Sequence, residues 1–164
     1  MNYSITKNGE CAKHLCVIDE VNKTVSTQEI GLVFHFYGLD GWLFKTDSDC
    51  TFKTGSCCTF STGNYCTFDT GGFCTFDTGS GCVFYTEDGC TFDIDCNCTF
   101  KTGKRCVVID RSSSDLKPFV APDKVEFVTD DSKLGYTMVN QKKKITIELT
   151  DEQFESLKKQ GIIT

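Results

Sequence analysis

From Cys50 to Asp110 the apolar and polar residues keep one eight-residue rhythm: CTFKTGSC, CTFSTGNY, CTFDTGGF, CTFDTGSG, CVFYTEDG, CTFDIDCN, CTFKTGKR. Cysteine opens each phrase at Cys50, Cys58, Cys66, Cys74, Cys82, Cys90 and Cys98, and returns at Cys106. Phenylalanine follows two places later at Phe52, Phe60, Phe68, Phe76, Phe84, Phe92 and Phe100, and Val108 closes the row. Upstream, WLFKTDSD sets Phe44 in the same column with Trp42 in the cysteine place, and FHFYGLDG sets Phe36 there with Phe34 before it. A fixed short period is the signature of stacked repeats.

Within each phrase, Cys-Thr-Phe-x-Thr alternates apolar with polar and is rich in β-branched and aromatic residues, which predicts a short strand with one buried face. Glycine usually follows, then two small or polar residues, which predicts a corner. An antiparallel meander with two-residue turns would point successive phenylalanines to opposite faces, because a one-step shift moves a strand's whole apolar set. A parallel β-solenoid stacks equal positions and avoids that conflict. Eight residues make too tight a coil to hold a phenylalanine ring. Two repeats per coil instead give two facing sheets about 10 Å apart, with Phe and Cys filling the space between them. The expected fold is therefore mostly β, with about five such coils from Phe34.

Four segments follow. Residues 1–33 carry the hairpin dipeptide Asn8-Gly9 and apolar clusters at His14–Ile18 and Ile30–Val33, and are expected to form capping strands over the first open rung. Residues 34–111 form the solenoid. Residues 112–123, with two prolines, are expected to be a linker. Residues 124–164 read as an α+β cap, with strands at Lys124–Val128, Tyr136–Val139 and Lys144–Leu149. A final short helix has its capping box at Thr150 and Gln153 and its stop at Gly161.

The chain has 164 residues and a formal charge of −6, from 23 carboxylates and 17 basic groups, which argues against nucleic acid or an anionic membrane as partner. No apolar signal core opens the sequence and no stretch is long enough to span a bilayer, so the twelve cysteines are expected to be reduced thiols in a cytoplasm. Stacked cysteines lie close enough to bridge, however.

At CTFKTG and CTFDTG, and at the closing Cys106-Val107-Val108-Ile109, the sequence resembles octapeptide-repeat proteins of bacteriophages and prophages. The resemblance covers about residues 42–110; the tail after Arg111 departs from that pattern. The family has no assigned activity, so no catalytic residue carries over. The resemblance implies phage origin and a life in the host-cell cytoplasm.

Candidate chemistry is sparse. Cys11, His14 and Cys16, with His35 distant, lack a usual zinc spacing, and alternation predicts a strand there. The two histidines lie outside the main repeat, so no cysteine has an evident base beside it; Cys57 and Cys96 fall in corners as accessible thiols. Neither a catalytic residue nor a cofactor is expected. An outward threonine row (Thr51, Thr59, Thr67, Thr75, Thr91, Thr99) suggests ice binding, but the neighbouring column carries Lys45, Lys53, Asp69, Asp77, Tyr85, Asp93 and Lys101, too uneven for a flat water-ordering face. What remains is departure from the repeat. Tyr65 and Phe73 put aromatics into corners, Val83 and Tyr85 face outward, and Asp93 and Asp95 make the later coils acidic. These six residues are the expected protein-binding surface. The structural core is expected at Phe44, Phe52, Phe60, Phe68, Phe76, Phe84, Phe92 and Phe100 with Cys58, Cys66, Cys74, Cys82 and Cys90. The first functional expectation is a non-enzymatic phage protein binding a host or phage protein, with inhibition of a host defence system as one outcome. Alternatives are a virion spacer and a surface-binding solenoid of the ice-binding kind. A homo-oligomer is compatible with the sequence.

Overall fold

The computed structural model describes residues 2–111, 118–122, 126–129 and 136–139. The chain begins with β1 (Ser4–Lys7), β2 (Glu10–Cys11), a 3-10 turn at Lys13–Leu15, β3 (Val17–Asp19) and β4 (Thr24–Ser26). The repeats supply β5 (Val33–Phe36), β6 (Leu43–Lys45), β7 (Thr51–Thr54), β8 (Thr59–Ser61) and β9 (Thr67–Thr70). They continue through β10 (Thr75–Asp77), β11 (Val83–Thr86), β12 (Thr91–Ile94), β13 (Thr99–Lys101) and β14 (Val107–Asp110). Three strands follow: β15 (Phe119–Val120), β16 (Glu126–Thr129) and β17 (Tyr136–Met138).

Successive repeat strands alternate between two sheets. The first is ordered β17-β16-β13-β11-β9-β7-β5-β1-β2 and the second β15-β14-β12-β10-β8-β6-β4-β3. Repeat strands pair in parallel with equal positions aligned: Thr51 faces Thr67 and Phe52 faces Phe68 in one sheet, while Thr59 faces Thr75 and Phe60 faces Phe76 in the other. The result is a β-solenoid of about 5 turns.

The phenylalanines fill the space between the sheets. Every ring from Phe34 to Phe100 in the column is fully buried. Along one sheet the rings stack, as in Phe60–Phe76 with centroids 4.9 Å apart and planes 4° from parallel. Across the sheets they meet edge to face, as in Phe68–Phe76 at 5.1 Å and 74°. The rung spacing of about 4.8 Å matches a comfortable ring stack, so one residue type satisfies both directions. The cysteines line the corners of the same core. Each buried thiol reaches corner carbonyls, as Cys66 Sγ does to Asp47 O and Asn64 O, both at 3.6 Å. All twelve cysteines are free.

The corner has two separate rules. The residue before each cysteine is left-handed: Asp49, Cys57, Tyr65, Phe73, Asn97 and Arg105 have φ between 56° and 60°, and Gly81 and Gly89 occupy the same place. The glycine that closes the strand has a different cause. Asp88 lies where a side chain on Gly103 would have to go, and its Oδ1 accepts the Lys104 N–H at 2.8 Å. The same ladder joins Asn64 N–H to Ser48 Oγ and Ser80 N–H to Asn64 Oδ1. Glycine is therefore used there because a polar side chain of the coil below occupies the space.

Two expectations at the N-terminal end change. Phe34, not Phe36, belongs to the phenylalanine column: Phe34 pairs with Phe52 and stacks on it at 4.9 Å and 4°. The loop after β5 is two residues longer than a repeat corner, so the period slips by two and Phe36 takes the position of Thr54. Parallel stacking also begins before residue 34, because β4 already pairs with β6, Val25 facing Phe44. A buried valine fills that rung, and a phenylalanine period cannot reveal it. His14–Ile18 is not one strand. Leu15 N–H donates to Ala12 O and Cys16 N–H to Lys13 O in a tight turn, which carries the chain from the first sheet to the second.

Antiparallel strands flank the stack. β1 lies on β5 and turns through Asn8-Gly9, both left-handed, into β2. At the other end β15 lies on β14, β16 on β13 and β17 on β16. Phe127 extends the aromatic stack, 4.8 Å from Phe100. Phe119–Val120 is thus a strand inside the segment expected to be linker. The strand expected at Lys144–Leu149 and the helix from Thr150 lie outside the described residues.

Candidate functional site

Of the six surface residues singled out from the sequence, the fold brings two, Phe73 and Tyr85, into one groove. Phe73 follows β9 at the corner leading into β10, and Tyr85 stands in the middle of β11, one rung on. Both line a groove of about 820 Å³, with Asp69, Glu87, Asp88 and Lys101 around them. Along its sheet Tyr85 faces Asp69 on one side and Lys101 on the other, in strict register. Three of the sequence's departures from consensus, Tyr85, Glu87 and Asp88, therefore converge on one corner.

Phe73 is left-handed and 62% exposed, an unusual state for an aromatic residue. The compensation lies one coil further along. A Cβ on Gly89 would sit 2.8 Å from Phe73 Cε1, so the ring covers backbone that only glycine leaves open. One face of the ring packs against the next coil and holds it still. Tyr65 uses the same device over Gly81 at the opposite corner, away from the groove. Its aromatic character has a packing reason of its own.

The groove's electrostatics are unbalanced. Asp69, Glu87 and Lys101 form no ion pair among the described residues. Of Asp88, Oδ1 is engaged by the Lys104 N–H. Three carboxylates thus stand against one ammonium. Beneath them the strand-closing threonines depart from their column. Thr54 and Thr70 donate to the next carbonyl, at 3.3 and 3.2 Å. Thr86 Oγ1 and Thr102 Oγ1, whose residues line the groove, are buried without a hydrogen-bond partner among the described residues, as is Thr78 Oγ1 on the other flank.

Asp93 and Asp95 lie on the other sheet and its corner, where Arg111 engages both. Arg111 Nε donates to Asp95 Oδ1 at 3.1 Å and stands 3.5 Å from Asp93 Oδ1. Its Nη1 donates to Asp77 Oδ1 at 2.7 Å and its Nη2 to Thr78 O at 2.6 Å. One guanidinium clamps three coils. The acidic stripe expected as a docking surface is thus partly neutralised from within. Val83 is half-buried beside the groove without lining it.

No family model, curated protein or solved structure matches the chain.

The other candidates stay apart. Among the described residues no three metal-ligating side chains cluster, and Cys11, His14 and Cys16 are spread over a strand, a turn and a bend. Cys57 is exposed, while Cys96 is half-buried with Sγ near Ser80 Oγ at 3.5 Å. The core thiols form two coupled rows. The hydrogen bond with Cys74 and then burial push the Cys58 thiol up, and Cys82 and burial do the same for Cys66. Cys90 is pushed up to about 11, by Cys106 first, with Cys74 opposing and burial adding. Cys98 and Cys106 end their rows and move the other way, because the preceding cysteine donates to them; Cys106 falls to about 6. The outward threonines divide between the two sheets, with Lys53, Asp69, Tyr85 and Lys101 beside one row. No helix among the described residues is long and apolar enough to cross a membrane.

Proposed function

We propose that this is a non-enzymatic, phage-type binding protein that docks a host or phage protein on one solenoid flank and acts in the host cytoplasm, interference with a defence system being the outcome. The observation that carries the reading is the groove at Phe73 and Tyr85. Two exposed aromatics and unpaired carboxylates share one concave surface, and interfaces draw most of their energy from such anchors. Losing the Tyr85 ring costs the fold little, since it is exposed and outside the phenylalanine stack. The test is affinity capture from infected cells, read by quantitative mass spectrometry, with the parent protein and with Val83→Thr combined with Tyr85→Ser. A specific partner depleted in the variant supports the reading; an unchanged set of captured proteins removes it. A second reading, a rigid virion spacer, is favoured by the unbroken aromatic stack from Phe34 to Phe127. Abundance of the protein in purified particles would support it.

A further inference from the structure

Resting on the reading of this flank as a protein-binding surface, we propose that the groove takes a basic side chain, arginine or lysine, presented by a segment of the partner. Two independent features converge on that chemistry. The first is charge: Asp69, Glu87 and Asp88 outnumber Lys101, and neither Asp69 nor Glu87 is paired within the described residues. On the opposite flank the equivalent acids already hold Arg111, so this molecule itself shows how its outer columns receive a guanidinium.

The second is the aromatic wall. A cation is attracted to the face of an aromatic ring, more strongly when water is partly excluded. Phe73 is held in place over Gly89, and Tyr85 stands one rung, about 4.8 Å, from Asp69. A guanidinium over Tyr85 therefore has a carboxylate within reach on the same column.

The volume, about 820 Å³, falls in the usual range for ligand sites of about 300–1,000 Å³ and exceeds one side chain, so flanking backbone enters too.

The experiment uses the intact protein, labelled with nitrogen-15, and an acetylated, amidated Gly-Arg-Gly-Arg-Gly peptide as probe. Its counterpart carries citrulline in place of arginine, which keeps shape and most donors and removes the charge. Amide shifts confined to the residues around Phe73, Tyr85 and Thr102, seen with arginine and lost with citrulline, are the expected result. Tyr85→Ser should weaken binding about fivefold. Asp69→Asn, exposed and safe for folding, should weaken it about threefold, and Lys101→Ala should tighten it about twofold. Asp93→Asn should leave it unchanged. Equal binding of the citrulline peptide would overturn the proposal in favour of a neutral hydrogen-bonding ligand such as a glycan. Shifts scattered over acidic residues on both flanks, or no shifts, would overturn it outright. If Tyr85→Ser abolishes partner capture while the peptide produces no shifts in the groove, the basic-segment assignment falls and the protein-binding reading stands. If capture is also unaffected, both fall.

Discussion

The two flanks are built from the same phrase and end in opposite states. On the second sheet Asp77, Asp93 and Asp95 are drawn together by Arg111, a residue just past the last repeat. On the first, Asp69 and Glu87 have no ion-pair partner among the described residues and stand beside two exposed aromatics. Carboxylates already held by an internal cation have little left to offer a partner. The charge left free on an outward flank therefore depends on which positions an internal cation engages, and the repeat itself does not set that.

The comparison holds only if both flanks rest on one core. Phe68→Ala on the first sheet and Phe76→Ala on the second should each cost about 3–5 kcal/mol, since both rings are fully buried in the same edge-to-face stack. Thermal or denaturant melting reads this, and a parent-like melt for either variant would show that its ring is outside the core. The thiol rows, also shared, give the next effect. Cys58, Cys66 and Cys90 hold their protons more tightly folded than unfolded, where a thiol titrates near about 8.5. A raised folded value gives stability that is complete below the unfolded pKa and lost as pH climbs towards the folded one. Melting temperature should thus fall from about pH 9 to about pH 11; the stabilisation from the depressed Cys98 and Cys106 thiols is gained below that window, as pH rises to the unfolded value. Constant melting across that window would remove the thiol rows from the energetics.

Arg111→Ala separates the flanks directly. It should cost about 1 kcal/mol, because the guanidinium is over a third exposed and its pairs are screened. The same change frees three carboxylates, so the arginine peptide should now shift amides near Asp77 and Asp93 as well. Absence of that second site would mean that Arg111 is not what silences this flank. The smallest effect belongs to Tyr85→Ser with Val83→Thr, which should move melting by less than about 0.5 kcal/mol equivalent, as surface changes do. A larger loss would show the groove to be structural.

Most of the fold was legible because its cause is periodic. Inward Phe and Cys, parallel pairing and alternation between sheets all follow from residues that repeat without a slip from Cys50 onward. Where the period breaks, legibility ends for definite reasons. The longer loop after β5 moves Phe34 into the column and Phe36 out of it, and loop length leaves no trace in an apolar pattern. Tyr65 and Phe73 read as surface anchors, but each is matched to a glycine sixteen residues on, a pairing visible only once coil size is known. Arg111 could have been noticed as a cation sixteen residues beyond Asp95, one coil above it. The groove itself needs Glu87 and Asp88, corner positions whose gathering on one flank appears only once coil size is known.

The sixteen-residue register has a consequence for how such a chain can change length. Removing or duplicating a whole coil leaves every later residue on its own sheet, so the protein can grow or shrink by pairs of phrases with both flanks intact. Removing a single phrase rotates everything after it by half a turn. Deleting residues 98–105, for example, would send Cys106–Arg111 to the opposite sheet and carry Arg111 away from Asp77, Asp93 and Asp95. The core would tolerate the swap, because Phe and Cys face inward on both sheets, while the pattern of free and satisfied charge outside would be rewritten. Repeat number in such an architecture is thus constrained by parity: even steps keep each outward column on its own sheet, and odd steps exchange the two.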